Sequence, residues 1–217
     1  MRVTRIEEGL WRWTGLHPDW TPDEGGPNGW EQEVGCVHHE AEDAVVLVDP
    51  LVPPEDAERF WAALDRDVER AGRPVHVLLT VFWHGRSARE LADRYGGEIW
   101  AHERVREVER REVEPTRFFS FGDVLPGGVE ARDAVRFDEA ILWIPQHRAL
   151  VFGDVVLGAE PGRVRLCPES WLGEGGGHAE LKEALRPLLE LPVERLLVAH
   201  GEPVLERGRE ELARVLA

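Results

Sequence analysis

The chain has 217 residues, a formal net charge of −16 and 42% hydrophobic residues, enough for a substantial buried core. The acidic excess disfavours binding to nucleic acid or anionic membranes, because phosphate contacts need clustered Lys and Arg. No apolar run approaches the roughly 18 residues of a membrane-spanning helix, and the N-terminus lacks the apolar region of a signal peptide. We therefore expect one domain over residues 1–217, a cytoplasmic location and no membrane partner, with homo-oligomer formation left open.

The amino-acid usage is uneven. Lys182 is the only lysine, and Cys36 and Cys167 are the only cysteines. Scarcity of Cys and Met fits a heat-adapted, thermostable protein, but a GC-rich genome would favour Arg over Lys by itself, so both explanations stay open. Neither cysteine has a CxxC spacing, which argues against a zinc site built from thiolates.

The first half of the chain predicts strands with helices between them. A continuous apolar run, Val45-Val46-Leu47-Val48, is typical of a strand that is buried on both faces. Apolar residues at helical spacing between Ala57 and Val68 predict a helix. The predicted strands cover residues 3–13, 31–39, 44–49, 75–80 and 99–101. The predicted helices cover residues 53–70, 87–95 and 103–111, and a loop rich in Gly and Pro covers 16–30.

The second half repeats this mixture. Residues 118–129 are expected to be irregular, and residues 140–144 and 149–152 to form an antiparallel hairpin. Residues 178–191 and 206–217 are predicted helices, with a strand at 193–199. Together the halves predict an α+β fold, an αββα sandwich in which two mixed β-sheets pack face to face with helices on the outer faces.

Three predicted strands end near side chains that can bind a metal ion. His84 follows the strand 75–80, Asp154 follows the strand that ends at Phe152, and His200 follows the strand 193–199. Two imidazoles and one carboxylate with an open position are a known arrangement for catalytic Zn²⁺ and for non-haem Fe²⁺. The spacing therefore predicts a pocket with three metal ligands.

The order of these segments resembles the metallo-β-lactamase superfamily of metal-dependent hydrolases over nearly the whole chain. Val46-Leu47-Val48-Asp49-Pro50 resembles the first-sheet strand with its terminal Asp, and Leu78-Leu79-Thr80 resembles the strand before the HxHxDH metal motif. Leu142 to Asp154 resembles the hairpin with the metal-bridging Asp, and Ala199-His200-Gly201 resembles the end with the last metal-binding His. The resemblance implies an αββα sandwich that hydrolyses its substrate with metal-bound hydroxide.

The metal motif itself departs from the family. The segment Val81-Phe82-Trp83-His84 retains only the last His, and Val135 stands where another metal-binding His normally precedes the hairpin. The resemblance therefore implies at most one metal ion (Zn, Fe or Mn) at His84, Asp154 and His200, or none. Because the motif Asp is missing too, proton transfer to a leaving group lacks an obvious donor.

Other residues have secondary roles in this interpretation. Asp49 is a candidate for orienting the ligands, or simply a turn residue at a strand end. Glu139 is the candidate replacement for the missing acidic group, although the acidic run that includes Asp133 and Asp138 also fits a solvated loop. Arg86 is a candidate partner for an anionic substrate group, or forms a surface ion pair. Trp83 fills space left by the missing ligands or stacks on substrate.

Two functional hypotheses follow. The first is a hydrolase-like protein that cleaves a small ester, thioester, lactone or amide. The alternative is a metal-free, non-catalytic relative that binds a small ligand or a partner protein in the old active-site cleft. The early loop with His17, Trp20 and Trp30 corresponds to the substrate flap of the family, or packs as an ordinary loop.

Overall fold

Two β-sheets packed face to face form the centre of the protein. The computed structural model describes residues 1–26, 28–109, 111–136, 138–173 and 176–217. The strands are, in chain order, β1 (Arg2–Glu7), β2 (Leu10–Leu16), β3 (Glu33–Glu40), β4 (Val45–Val48), β5 (Val75–Leu78), β6 (Glu98–His102), β7 (Arg117–Phe119), β8 (Val124–Leu125), β9 (Val129–Asp133), β10 (Ala140–Ile144), β11 (Ala149–Phe152), β12 (Val156–Gly158), β13 (Val164–Leu166) and β14 (Arg195–Val198). The helices are α1 (Ala57–Ala71), α2 (Ala88–Tyr95), α3 (His178–Leu185) and α4 (Gly208–Leu216).

The first sheet has seven strands in the order β1-β2-β3-β4-β5-β6-β7. Strands β4 to β7 run parallel, so their carboxyl ends meet at one edge of the sandwich. Alternate residues of β4 explain its unbroken apolar run. Val45 and Leu47 pack towards α1 and α2, whereas Val46 and Val48 pack towards the second sheet.

The second sheet has five strands in the order β14-β11-β10-β9-β8. Strands β10 and β11 form the expected antiparallel hairpin, and β11 pairs in parallel with β14. Leu142 and Val151 face the first sheet, whereas Leu150 and Phe152 face the outer layer that contains α3 and α4. The predicted αββα sandwich is therefore confirmed.

Several element predictions need correction. The strand predicted at 3–13 is two antiparallel strands, β1 and β2, joined by a tight turn. The predicted helix 103–111 is a five-residue 3-10 helix, Glu103–Glu107, and residue 110 lies outside the described residues. The stretch 118–129, expected to be irregular, contains β8 and the start of β9. Strands β12 and β13 were missed.

The other helix predictions hold in type, and one of them is clearly too long. The helix predicted at 178–191 leaves α-geometry after Leu185 and continues as a 3-10 helix, Arg186–Glu190, because Pro187 cannot donate an α-helical hydrogen bond. Gly96 ends α2 in a left-handed conformation, as the sequence predicts. Across the described ranges, none of the helices combines the length and apolar character needed to cross a membrane.

Candidate metal centre

The three predicted ligands converge where parallel strands of both sheets end. His84 follows β5 through a one-turn 3-10 helix, Asp154 lies two residues beyond β11, and His200 lies two residues beyond β14. All three are buried, with 3%, 5% and 6% of their surfaces exposed. Because β11 and β14 are parallel neighbours, Asp154 and His200 emerge at the same edge, opposite His84 on the first sheet.

The spacing of the ligand atoms fits a single ion. Asp154 Oδ1 lies 3.1 Å from His200 Nε2 and 3.5 Å from His84 Nε2. One ligand atom from each residue lies within 4.8 Å of the other two. Tetrahedral ligands about 2.0–2.1 Å from a zinc ion stand about 3.3 Å apart, so the two shorter separations match such a site.

The orientation of the Asp154 carboxylate supports the same conclusion. Oδ1 is buried, and neither imidazole gives it a well-directed hydrogen bond. Its other oxygen, Oδ2, accepts a hydrogen bond of 2.7 Å from the Trp83 indole. A buried carboxylate oxygen without a directed donor is costly unless a cation completes it. The triad could therefore hold a metal ion through Oδ1.

Asp49 fixes the His84 ring. Its Oδ2 lies 2.9 Å from His84 Nδ1, which leaves Nε2 facing Asp154. The same carboxylate accepts hydrogen bonds from the backbone N–H and the hydroxyl of Thr80. A carboxylate behind a ligating imidazole is the usual way in which proteins set its orientation. The orienting role considered for Asp49 from the sequence stays a prediction, and this contact supports it.

Opposite pKa shifts distinguish the two imidazoles. Burial and the charge of Arg86 oppose protonation of His84, but Asp49 and Asp154 prevail and raise its pKa to about 9. Burial lowers the pKa of His200 to about 4, although Asp154 opposes this. Asp154 is also buried, yet the two imidazoles hold its pKa well below the usual range. Without a metal, a proton on His84 is thus the cation that partners Asp154.

Glu139 holds the backbone of Asp154 in place. It is fully buried, and its carboxylate accepts hydrogen bonds of 2.8–2.9 Å from the backbone N–H groups of Gly153, Asp154 and Val155. Burial, reinforced by the charge of Asp154, raises the pKa of Glu139 to about 8, although the three N–H bonds oppose this. A Cβ atom on Gly153 would lie 2.6 Å from the Thr80 hydroxyl, so only glycine fits between these groups.

This position differs from the role that the sequence suggested for Glu139. Both carboxylate oxygens bind backbone N–H groups, and Glu139 does not line the cavity beside the triad. We therefore treat it as a positioning residue rather than as a ligand or proton donor. Asp133 and Asp138 contact Val135 N and Arg104 respectively, in agreement with the solvated-loop reading, and Phe137 between them lies outside the described residues.

Trp83 and Val135 lie in the two segments where the sequence resemblance implies that metal ligands have been lost. Trp83 is half-buried beside Asp154, and its indole occupies the second oxygen of that carboxylate. Val135, which stands in place of a His, is 48% exposed, has a positive φ of 62° and does not line the cavity. The described residues thus contain one group that could bind a metal ion, the triad.

Arg86 lines the cavity but is already partly engaged. Its Nη1 donates to the backbone carbonyl of Asp49 at 3.0 Å, and its backbone N–H donates to Glu112 Oε2 at 3.2 Å. The φ of Arg86 is 30°, so this turn is strained for a residue with a side chain. The candidate anion partner therefore also braces the segment after His84.

A cavity of ≈ 760 Å³ opens above the triad. The early loop forms one wall: the Trp30 ring lies 4.8 Å from the His200 ring, and the Trp20 indole donates to the Trp30 carbonyl. Position 27 of this loop lies outside the described residues. The acidic side chains Asp19, Asp23 and Glu24 also line the cavity. Sequence patterns gave no signal for these residues, because a loop has no periodicity that orients its side chains.

Comparison with known proteins identifies the fold. No protein-family model matches the sequence, and no curated protein matches it. A metallo-β-lactamase from Pontibacter korlensis superposes with a TM-score of 0.67 at 17% identity, covering 99% of this chain and 98% of that one. The enzyme from Hirschia baltica gives 0.68 at 15% identity, covering 99% and 97%. FIM-1 from Pseudomonas aeruginosa, solved in a mono-zinc form, gives 0.67 at 14%, covering 99% and 94%. The chain therefore has the metallo-β-lactamase fold.

Proposed function

We propose that this metallo-β-lactamase-fold protein is a hydrolase with at most one metal ion, held by His84, Asp154 and His200. Its substrate would be a small ester, thioester, lactone or amide. The observation that carries the proposal is the unsatisfied Asp154 Oδ1, which faces two imidazole Nε2 atoms at the floor of a cavity. Zinc is our first choice of ion, with iron and manganese as alternatives, because two imidazoles and a carboxylate suit all three.

The chain's own residues would divide the work as follows. A bound ion would supply Lewis-acid chemistry and lower the pKa of water at the site. Asp49 holds His84 in the ligating orientation, and Glu139 holds the backbone that presents Asp154. Trp83 keeps Asp154 Oδ2 occupied, so that one oxygen remains for an ion. FIM-1, solved in a mono-zinc form, shows that this fold accommodates a single zinc ion.

The same geometry predicts slow turnover. Among the described residues of the cavity lining, Asp154 is engaged as a candidate ligand and Glu139 is absent. Outside the triad, the carboxylates and the one further imidazole of the lining come from the early loop and the segment around Glu112: His17, Asp19, Asp23, Glu24 and Glu112. General acid–base assistance contributes about 10² to 10⁴ to a rate. We therefore expect activity well below that of an enzyme with a complete motif, and preference for substrates whose leaving group needs little protonation.

A metal-free binding protein is the second candidate function. The observation that favours it is the ion pair of 3.5 Å between His84 and Asp154, together with the raised pKa of His84. A protonated His84 could neutralise Asp154 without any metal. In that case the cleft would bind a small ligand or a partner chain and perform no reaction.

Metal content separates these functions. The protein is purified without chelator, and bound Zn, Fe and Mn are measured by plasma mass spectrometry for the wild type, His84→Ala and His200→Ala. We expect about one ion per chain in the wild type and less than about one tenth in either variant. His178→Ala, a half-exposed imidazole outside the site, is the matched control and should keep the ion.

Activity is then tested with the metal-loaded protein on phenyl acetate, a phenyl thioacetate and a lactone. The hydrolase proposal predicts turnover that disappears in His84→Ala and persists in the metal-loaded His178→Ala control. Absence of metal in the wild type, with unchanged stability in EDTA, would overturn it and favour the binding protein.

A further inference from the structure

We propose, building on the hydrolase function above, that the cavity selects substrates with a cationic quaternary-ammonium or amine group beside the scissile acyl bond. Water would add to the acyl carbon, the bond to the leaving oxygen would break, and an amino alcohol would depart with a proton. Three features support this substrate class: carboxylates at the rim, aromatic rings in the wall, and the contacts that Arg86 already makes within the protein.

The rim of the cavity is acidic. Asp19, Asp23 and Glu24 from the early loop line one side, and Glu112 lines the other. Across the part of the chain that the structure describes, no salt bridge joins Asp19, Asp23 or Glu24 to a basic side chain. Their charge therefore acts on whatever enters the cavity, because clefts lined by one sign of charge attract ligands of the opposite sign.

The wall of the cavity is aromatic. Trp30, Trp83 and Trp171 all line it, and Trp30 lies directly against His200. Three indoles next to carboxylates provide the surface that quaternary ammonium ligands prefer, because the negative face of an aromatic ring attracts a cation. The volume of ≈ 760 Å³ falls within the range of about 300–1,000 Å³ that small-molecule sites occupy.

Two basic side chains of the described lining bear on this preference, and neither reverses it: His84 is paired with Asp154 at 3.5 Å, and Arg86 is the one arginine or lysine. Arg86 donates Nη1 to Asp49 O, and its backbone N–H contacts Glu112, so part of its charge already has a protein partner. It is also two residues from His84 in the chain and does not belong to the acidic loop. An anionic substrate group would have to pass the rim carboxylates to reach it.

The buried floor supplies an independent pointer to a bound ligand. Asp154 Oδ1 and His200 Nδ1 are buried without a directed hydrogen-bond partner in the described structure. The acidic rim therefore surrounds a site whose polar atoms are unsatisfied, not a plain solvated face. In this arrangement the acyl group would lie at the floor beside the ion at Asp154, and the cationic group would lie between the indoles and the rim.

A pair of isosteres tests the inference. Choline and 3,3-dimethyl-1-butanol differ only in the positive nitrogen, and each gives one nine-proton singlet in ligand-observed NMR titrations. The titrations are run with the full chain in EDTA and again with zinc, and 4-hydroxybutanoate is the anionic comparison. We expect choline to bind at least about fivefold more tightly than its neutral isostere in both conditions.

Two double variants locate the source of this preference. Asp19→Asn with Asp23→Asn should weaken choline binding about threefold and leave the neutral alcohol unchanged. Glu42→Gln with Asp43→Asn removes the same charge from an exposed turn between β3 and β4, outside the cavity lining, and should leave both affinities unchanged. Equal binding of the isosteres, tighter binding of 4-hydroxybutanoate, or equal loss in both double variants would overturn the inference.

Hydrolysis of the matched esters keeps this test separate from that of the hydrolase function. Acetylcholine should be cleaved with a kcat/KM at least about fivefold above that of 3,3-dimethylbutyl acetate. If choline binds selectively but neither ester is cleaved, the cation site stands and the hydrolase proposal fails. If both esters are cleaved equally, the hydrolase stands and the cation selectivity fails.

Discussion

The two ends of strands β11 and β14 carry similar residues with opposite consequences. His147 and Arg195 lie at the beginning of these strands, whereas Asp154 and His200 follow their ends. Each end gathers two imidazoles and one carboxylate: His39, His147 and Glu7 at the beginning, and the candidate metal triad at the end. The composition of a cluster therefore does not decide what it does.

The cluster at the beginning of the strands is satisfied by the protein itself. His147 Nδ1 contacts Glu7 at 2.5 Å, and His147 Nε2 lies 3.1 Å from His39 Nδ1. His39 Nε2 lies 2.9 Å from the Gly127 carbonyl, which accepts its N–H. Arg195 Nη2 donates a hydrogen bond of 3.0 Å to Glu7 Oε2. Every ring nitrogen has a partner, so this cluster joins the two sheets; its one buried atom without a partner among the described residues, Arg195 Nε, is a donor and binds no metal ion.

The triad at the other end of the strands contains buried polar atoms that have no hydrogen-bond partner among the described residues. Asp154 Oδ1 and His200 Nδ1 have no directed partner in the described structure, and all three residues face the cavity. The two clusters contain the same chemical groups, so it is the unsatisfied atoms beside a cavity that indicate a binding site. Variants at the two ends should therefore separate folding stability from metal binding.

The largest effect on stability is expected at the satisfied cluster. His147→Ala removes the bridge between Glu7 and His39 and leaves a cavity between the sheets, so the free energy of unfolding should fall by about 3 kcal/mol. Urea denaturation measures this, and metal content should not change. His76→Ala, a partly exposed imidazole on β5, should cost less than about 1 kcal/mol. A similar loss for both variants would contradict the comparison.

A somewhat smaller effect is expected behind the triad. Glu139→Ala leaves the N–H groups of Gly153, Asp154 and Val155 without an acceptor, which should cost about 2–3 kcal/mol of stability. It should also weaken zinc binding at least tenfold, because Asp154 loses its backbone support. Glu139→Gln, which retains the volume, should fall between the wild type and the alanine variant. Unchanged zinc affinity in Glu139→Ala would show that Glu139 serves the fold alone.

The pH dependence of the metal-free protein gives a third test. The pKa of His84 rises from its ordinary 6.5 to about 9 on folding, so its contribution is fully present below pH 6.5 and lost as pH rises through 9. In EDTA, the free energy of unfolding should fall by up to about 3 kcal/mol between pH 6 and pH 10. His84→Gln is the control that retains all the other titrating groups. Its free energy of unfolding should fall less over the same pH range, because the contribution of His84 is missing. Parallel profiles for the two proteins would disprove the assignment.

The smallest effect is expected at Trp83. Trp83→Phe keeps an aromatic ring but removes the N–H that binds Asp154 Oδ2. Zinc binding should therefore weaken by about 1 kcal/mol. Competition with a chromogenic chelator measures the dissociation constant. Trp11→Phe, which alters a ring packed against His38 on the first sheet, is the matched control. A second bound zinc in Trp83→Phe alone would indicate that the indole also limits the site to one ion.

The difference between fold and site prediction has a physical cause. The apolar pattern of a strand and the polar residue that follows it are neighbours in sequence. The sequence could therefore place β4, β5, β11 and β14, and with them the candidate ligands His84, Asp154 and His200. The partners of Glu139 are backbone N–H groups fourteen to sixteen residues away, which leave no side-chain pattern. The resemblance suggested Trp30 as part of a flap, whereas Trp171 and the acidic rim come from loops whose orientation is set only by the packed sheets.

Anomalous diffraction at the zinc absorption edge, on crystals grown with zinc, tests the central claim most directly. We expect one strong peak per chain, bonded to His84 Nε2, Asp154 Oδ1 and His200 Nε2 at about 2.0–2.2 Å, and no peak at His39 and His147. Absence of zinc from the triad, or zinc bound instead between His39 and His147, would contradict it.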